Sequence, residues 1–217
     1  NWDDLVRQLR SRTLDFFVAE TSLLTSEPDL DVAPTPVQHP MYFFARAGHP
    51  LTRNDAPIRA ADVLAWPFVT PARVPPRVLD PLLAAHREGS ARSSTARPLP
   101  AIECNGLAPV KRIVAVSDAV SSSILPCIAE DLDSGRFVLL ATAPWMFLHY
   151  GVVSLRGRPW TQMADTLRDY VLEAERDVTQ LERRLIEDHA PKNRTSRARA
   201  RGTARPMHER AARIRRN

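Results

Sequence analysis

Short apolar segments alternate with helical segments along most of the chain, and this alternation constrains the fold more than any other feature. Strands are predicted at 14–19, 41–45, 66–70, 101–104, 120–125, 136–140 and 150–155. Between them, apolar residues recur at helical spacing, most clearly from 161 to 186. Strands separated by crossover helices are typical of a mostly parallel sheet with helices on its faces. The sequence therefore predicts an α/β fold.

The composition is that of a globular protein with a substantial core. Of the 217 residues, 44% are hydrophobic, and no run approaches the roughly 18 apolar residues of a membrane span. Cys104 and Cys127 are too few and too far apart for a disulfide framework or a zinc site, so we expect buried thiols in a reducing cytoplasm. No metal or cofactor is predicted.

The sequence contains none of the common catalytic motifs. GxSxG, HExxH, the Walker A loop and GxGxxG are all missing, and seven glycines leave little material for phosphate-binding loops. The serines from Ser121 to Ser123 have no histidine and aspartate partners in a recognisable context. We therefore predict that the protein is not an enzyme.

The positive charge is concentrated at the C-terminus. Residues 183–217 carry twelve Lys and Arg against three Asp and Glu, a net charge of +9, whereas the rest of the chain has a net charge of −4. Any attraction to a nucleic acid therefore belongs to this segment. Because it lacks apolar periodicity, we expect a disordered tail. It is either a solvated extension or a nucleic-acid-binding arm, and salt-dependent binding that disappears on its deletion would distinguish the two.

The N-terminus begins inside a helical pattern. Asn1 is not a methionine, and Trp2, Leu5, Val6 and Leu9 follow helical spacing. Such a helix would come second or later in an α/β domain. The chain is therefore predicted to be a fragment that lacks an N-terminal part.

Five segments occur in an order and spacing that match a known bacterial family. They are Leu14–Val18 before a proline-rich connector; Tyr42–Ala45 leading to His49–Leu51; Asp62–Val69; Val114–Val120 leading to Leu125 and Pro126; and Gly135–Leu140. Together they resemble the effector-binding, or substrate-binding, domain of LysR-type transcriptional regulators, over roughly Trp2 to Val178. Where many members have glycines, this chain has Ser117, Asp118 and Ser121, which still suit a turn.

The resemblance implies a two-lobed fold like that of periplasmic binding proteins, with two strands crossing between the lobes. The crossing strands would be Met41–Ala45 and Tyr150–Leu155. Subdomain I would comprise 1–40 plus 155–182 and would be incomplete, subdomain II would comprise 41–154, and 183–217 would be the tail.

The resemblance also implies a function. The domain would sense a small metabolite in the cleft and control transcription in a cytoplasmic protein that forms dimers or tetramers. DNA would be bound through an N-terminal winged helix-turn-helix that is missing here, and no membrane would be involved. The alternative is a solute-binding protein of a transporter with the same fold, which a signal peptide upstream of Asn1 would favour.

Candidate ligand-binding residues follow from the position of strand ends. In open α/β sheets, ligands bind beyond the carboxyl ends of the strands, near helix N-termini. Arg73 could pair with the carboxylate of an effector, which would then be an anion. Asn105 is also a candidate helix cap, as are Glu20, Thr21 and Thr70. The predicted ligand-binding set is Glu20, Thr21, Thr70, Pro71, Arg73 and Asn105.

The histidines suggest structural roles. No Cys, His or carboxylate recurs at metal-binding spacing around His49, which is predicted to be a turn residue beside Pro50. His149 adjoins the second crossing strand and could either face the cleft or be structural.

Overall fold

The computed structural model describes residues 2–24, 27–53, 56–71, 74, 76–91 and 98–190. The α-helices are α1 Trp2–Arg10, α2 Ala60–Val63, α3 Pro76–Ser90, α4 Leu107–Val116, α5 Ala129–Asp133 and α6 Gln162–His189. The strands are β1 Phe16–Glu20, β2 Leu30–Arg46, β3 Val69–Thr70, β4 Ile102–Glu103, β5 Ser121–Ile124, β6 Phe137–Ala141 and β7 Phe147–Leu155. Each predicted strand, the helix predicted from 161 to 186 and the helical pattern at the N-terminus correspond to one of these elements, with shifted boundaries.

Strand β2 is the longest strand and belongs to two lobes. Its first part, from Leu30 to Pro40, pairs with β7, and β7 pairs with β1 on its other side. Its last part, from Met41 to Arg46, pairs with β5 and with β6. One strand therefore connects a sheet of β1, β7 and β2 to a second sheet of β5, β2 and β6.

The prediction of a mostly parallel sheet is wrong. All pairings of β2, and the pairing of β1 with β7, are antiparallel. Parallel neighbours occur between β3 and β4 and at the bridge from Phe68 to Val120. The reason is that β2 and β7 run in opposite directions between the lobes. They therefore pair antiparallel with each other, and β1, β5 and β6 also run antiparallel to the strand that they pair with.

The first crossing strand was predicted too late in the chain, at Met41–Ala45, whereas the second, Tyr150–Leu155, lies within β7. Met41–Phe44 pairs with β5, and the residues opposite Tyr150–Leu155 lie in the earlier part of β2, beginning at Leu30. The segment predicted as a proline-rich connector is therefore part of the strand. Proline lacks an N–H donor. The ladder tolerates it here because, between Leu30 and Pro40, β7 is the one strand among the described residues that pairs with β2, and because the register shifts between Pro34 and Gln38.

Helix α6 touches both lobes, although we expected it to pack on the lobe of Leu14–Val18. At its start, Trp160 stacks on Phe16 with ring centroids 5.3 Å apart. At its end, the buried Leu185 belongs to the core around Phe44. The helix also continues to His189, where Arg184 and His189 bond Asp133, so 183–189 is not a disordered tail.

The second lobe has a core on each face of its sheet. Alternate side chains of β2 point to opposite faces, so Tyr42 and Phe44 lie on one face, and Phe43 and Ala45 lie on the other. Helix α4 covers the first face, and helices α2 and α3 contribute to the second. Under α1, a smaller core contains Val6, Leu9, Phe17, Leu24, Leu30 and Val153.

The predicted subdomain boundaries at 40/41 and 154/155 stay a prediction. The predicted tail beyond residue 190 lies outside the described residues. Among the described residues, no helix is long and apolar enough to span a bilayer.

Gly89 on α3 should be intolerant of a methyl group. A Cβ atom there would lie 2.2 Å from the carbonyl oxygen of Ala61 on α2. Helix propensity alone favours Ala over Gly by about 1 kcal/mol. The clash outweighs this preference, because the backbone of Ala61 cannot move aside as a flexible side chain could. We expect Gly89→Ala to lower the free energy of unfolding by about 1–3 kcal/mol in urea titrations. The exposed Arg87→Ala should change it by less than about 0.5 kcal/mol, and equal effects would contradict the close packing of α2 and α3.

Candidate functional site

Three of the predicted residues meet at the carboxyl ends of β3 and β4. The N–H of Cys104 donates to the carbonyl of Thr70 at 2.9 Å, and the N–H of Gly106 donates to the carbonyl of Pro71 at 3.1 Å. Thr70 is buried, whereas Asn105 is exposed at the same edge. Thr70, Pro71 and Asn105 are therefore neighbours, as the parallel pairing of their strands requires.

The other lobe contributes Glu20 and Thr21, directly after β1. Glu20 caps a 3-10 turn at Thr21–Leu23 by accepting from the N–H of Ser22, which confirms its predicted capping role. The hydroxyl of Thr21 donates to the carbonyl of His149 at 3.0 Å. Both residues are thereby fixed against β7, at the place where β7 leaves the first sheet.

Arg77 of α3 contacts Glu20 and the start of β7, and the sequence analysis missed it. It lies in the first turn of α3, close after Pro71 in the chain. Its guanidinium is 3.2 Å from the buried carboxylate of Glu20, donates to the carbonyl of Phe147 and lies 4.0 Å from the centroid of the Phe147 ring. A cation on the second lobe is thus held by the first lobe and by β7. The only sequence signal was an arginine in the first turn of the helix that follows a strand end.

Two capping predictions fail, and one predicted residue lies outside the described chain. The N-cap of α4 is Gly106 with a positive φ of 102°, so Asn105 does not cap that helix. Thr70 does not cap α3, which begins at Pro76. Arg73 lies outside the described residues.

Ser121 supplies an unusual polar group next to β3. It follows Val120, whose carbonyl accepts from the N–H of Val69 at 2.9 Å. The Ser121 side chain is fully buried, and in the described part of the chain its hydroxyl has no hydrogen-bond partner. An unsatisfied buried hydroxyl costs about 1–3 kcal/mol, so such a group calls for an explanation.

Tyr150 lies beside Glu20 in the ladder between β1 and β7. Burial, followed by the nearby Cys127 and carboxylates of Glu20, Glu175 and Glu182, raises the pKa of Tyr150 to about 12. Its ring also meets the ring of His39 edge to face, with centroids 5.6 Å apart. The hydroxyl of Tyr150 thus lies in a partly desolvated environment that disfavours its ionised form.

The remaining histidines and the cysteines have structural explanations. His49 is buried, accepts from the N–H of Leu51 and packs on Trp66, which confirms its role in a turn. His149 contacts the carbonyl of Thr35 through Nε2 at 2.9 Å. The prediction of two buried thiols is wrong, since Cys104 is partly exposed and Cys127 is exposed. No cluster of His, Cys, Asp and Glu in the described ranges could hold a metal ion.

Comparison with known proteins gives the family. The model of the LysR substrate binding domain matches residues 1–176. This chain belongs to the LysR family. It therefore contains the effector-binding domain of a transcriptional regulator, as the five segments indicated, and the alternative of a transporter's solute-binding protein is not favoured.

A curated LysR relative shares substantial sequence with the chain. The SDS degradation transcriptional activation protein of Pseudomonas sp. (strain ATCC 19151) is 34% identical over 176 residues, which cover 79% of this chain and 54% of that protein. The chain thus spans about half the length of this relative.

Solved structures agree with the fold. The regulatory domain of Synechocystis PCC6803 CcmR, solved in complex with 2-PG, gives a TM-score of 0.61 at 16% identity over 80% of this chain and 79% of that one. HinK, a LysR family regulator from Pseudomonas aeruginosa, gives 0.60 at 17% identity over 79% of this chain and 56% of that one. At these identities the likeness supports the two-lobed, periplasmic-binding-protein-like fold alone.

Replacement of Tyr150 should change stability at alkaline pH. A phenol whose pKa rises from 10.0 to about 12 on folding stays protonated in the folded protein while it ionises in the unfolded chain. Its contribution is complete below pH 10 and is lost as pH rises through about 12. We expect the stability of the wild type to fall more steeply between these values than that of Tyr150→Phe, measured by urea unfolding. Tyr170→Phe, which alters an exposed tyrosine, is the control, and matching slopes for wild type and Tyr150→Phe would show that Tyr150 is solvated.

Proposed function

We propose that this domain senses a small organic anion in the cleft between its lobes and, in the intact protein, transmits that binding to transcription. Arg77 supplies the positive charge, and Arg73, four residues earlier in the sequence, is a second candidate. The hydrogen-bond donors and the walls of the cleft come from the remaining predicted residues, which are Glu20, Thr21, Thr70, Pro71 and Asn105. The protein acts as a sensor and not as an enzyme.

The contacts of Arg77 carry this proposal. Guanidinium groups bind carboxylate, sulfate and phosphate oxygens through paired N–H donors. In this structure the guanidinium already holds the carboxylate of Glu20 at 3.2 Å, across from the strand ends of the second lobe. An anionic effector would share or replace that carboxylate. Because Glu20 is in one lobe and Arg77 is in the other, the exchange would alter how the lobes are held together.

Ser121 supports a ligand contact next to β3. Its buried hydroxyl has no partner among the described residues, and it lies next to β3, where Thr70 also ends the strand. A polar atom of an effector would satisfy this hydroxyl. The names of two similar proteins also fit an anion, since one relative activates SDS degradation genes and one neighbour was solved with 2-PG.

The intact protein is proposed to work as other LysR regulators do. It would form a homodimer or homotetramer, bind DNA through an N-terminal winged helix-turn-helix and reside in the cytoplasm without a membrane partner. Effector binding would change the arrangement of subdomains or protomers, and hence the spacing of the DNA-binding heads.

The charge contributed by Arg77 can be tested with a panel of carboxylates, organic sulfates and organic phosphates. A compound that raises the melting temperature of the intact protein is then titrated calorimetrically against wild type, Arg77→Ala and Arg73→Ala. Loss of a charge-assisted bond costs about 1.5–3 kcal/mol, so the residue that binds the anion should lose about ten- to hundredfold in affinity when replaced.

Glu20→Gln is the counterpart of Arg77→Ala, because it changes the other side of the same ion pair. It keeps the shape of the side chain but removes the charge that competes for Arg77, so anion affinity should rise several-fold. The exposed Arg87→Ala should leave affinity unchanged. If Arg77→Ala binds the compound as tightly as the wild type does, Arg77 has no role in effector recognition.

A further inference from the structure

A buried histidine lies between two carboxylates where β2 passes from one lobe to the other. His39 is 1% exposed and precedes the segment of β2 that enters the second lobe. Its Nδ1 is 3.0 Å from Oε1 of Glu182, and its Nε2 is 2.8 Å from Oε2 of Glu175. Both glutamates are on α6, and Glu182 is itself 4% exposed. The crossing strand and the long helix are therefore joined by one imidazole ring.

The two short contacts fix the number of protons in this cluster. An ionised carboxylate only accepts hydrogen bonds, and a neutral imidazole carries a single N–H. Two N···O contacts of hydrogen-bond length therefore need two protons. One is the ordinary N–H, and the second is an additional proton on the imidazole or on a carboxyl group. Either arrangement leaves the cluster with one negative charge and both contacts intact.

Among the described residues, no ion-paired cation takes the place of the additional proton in offsetting the charge of the two glutamates. No arginine or lysine in the described ranges forms an ion pair with Glu175 or Glu182, so the imidazole is their main source of positive charge. Burial is the largest cause that raises the pKa of Glu182, which Glu175 also raises and His39 opposes. The same two glutamates help to raise the pKa of Tyr150, and Glu182 raises that of Tyr42. The thiol of Cys127 also lies near Glu182, and Lys111 lies near that thiol.

We propose that His39, Glu175 and Glu182 form a proton-dependent latch that fastens α6 to β2 at the crossing between the lobes. With the additional proton bound, both glutamates are held and the helix is tied to the strand. Without it, two carboxylates face an imidazole that has one donor, and one of the contacts becomes repulsive. The latch therefore weakens as pH rises, and with it the connection between the lobes.

The sign of the pH dependence follows from the unfolded chain. Burial raises the pKa of Glu182 above its ordinary value of 4.5, with Glu175 adding to the shift and His39 opposing it. As pH rises, the unfolded chain therefore releases this proton before the folded protein does, so folding takes it up. The contribution to stability is complete below the ordinary value and is lost as pH rises through the raised value.

Urea unfolding of the full chain from about pH 4.5 upward tests the latch, because that is the ordinary pKa of Glu182. Uptake of a proton on folding lowers the folding equilibrium constant as pH rises, by at most about tenfold per pH unit. His39→Gln replaces the ring by an amide that cannot take up a proton, so we expect its pH dependence to be flatter than that of the wild type. His149→Gln is the matched control, since His149 lies on the adjacent strand and contacts a carbonyl oxygen and no carboxylate. It should retain the slope of the wild type.

A second variant keeps the test decisive if His39→Gln does not fold. In Glu175→Gln, the amide can donate to Nε2 of His39, so both contacts form without an additional proton and the slope should again flatten. Nitrogen NMR of the wild type at neutral pH should show protons shared with both ring nitrogens of His39. Equal slopes for the wild type, Glu175→Gln and any folded His39 variant would overturn the latch, as would a His39 ring with one unprotonated, unbonded nitrogen.

Discussion

The antiparallel pairing of β2 with β7 is the constraint on which the rest of the structure depends. These two strands hold β1 on one side and lead into the sheet that β5 and β6 complete. Each candidate ligand-binding residue that the structure describes takes its position from an element attached to this pair or to that sheet. Glu20 ends the strand beside β7, and Arg77 reaches the carbonyl of Phe147 at the start of β7. The cleft is thus built around two continuous strands, so a change in their alignment would move both of its walls.

Much of the fold could be predicted from the sequence because its signals are local. Helical spacing from 161 to 186 located α6, Gln162–His189, closely, and the spacing of Trp2, Leu5, Val6 and Leu9 located α1. The pairing directions could not be read in this way. Local apolar patterns do not say which strands are neighbours, and prolines at 34, 36 and 40 concealed the first part of β2. Those positions can be strand only because β7 supplies a partner from more than a hundred residues away.

The residues of the candidate site that directly follow strand ends could be predicted from the sequence. The residue that acts through a long side chain could not. Thr70 and Asn105 were found because parallel neighbours bring their ends together. Arg77 was missed because a long side chain acts far from its own backbone, at a partner on the other lobe. The buried triad of His39 was invisible for a similar reason, since its members are separated by 136 and 143 positions in the chain. Composition and spacing carry no record of such distant pairs.

The prolines of β2 have a further consequence for the protein in a crowded solution. Between Leu30 and Pro40, β2 has β7 on one side, and no described strand lies on the other. A bare strand edge is a template on which a second molecule can add its own strand and begin an aggregate. Proline offers no N–H to such an intruder, and the shifted register near Pro34 bends the edge away from a flat ladder. The prolines that make β2 hard to recognise in the sequence thereby protect this edge of the strand from pairing with a second molecule.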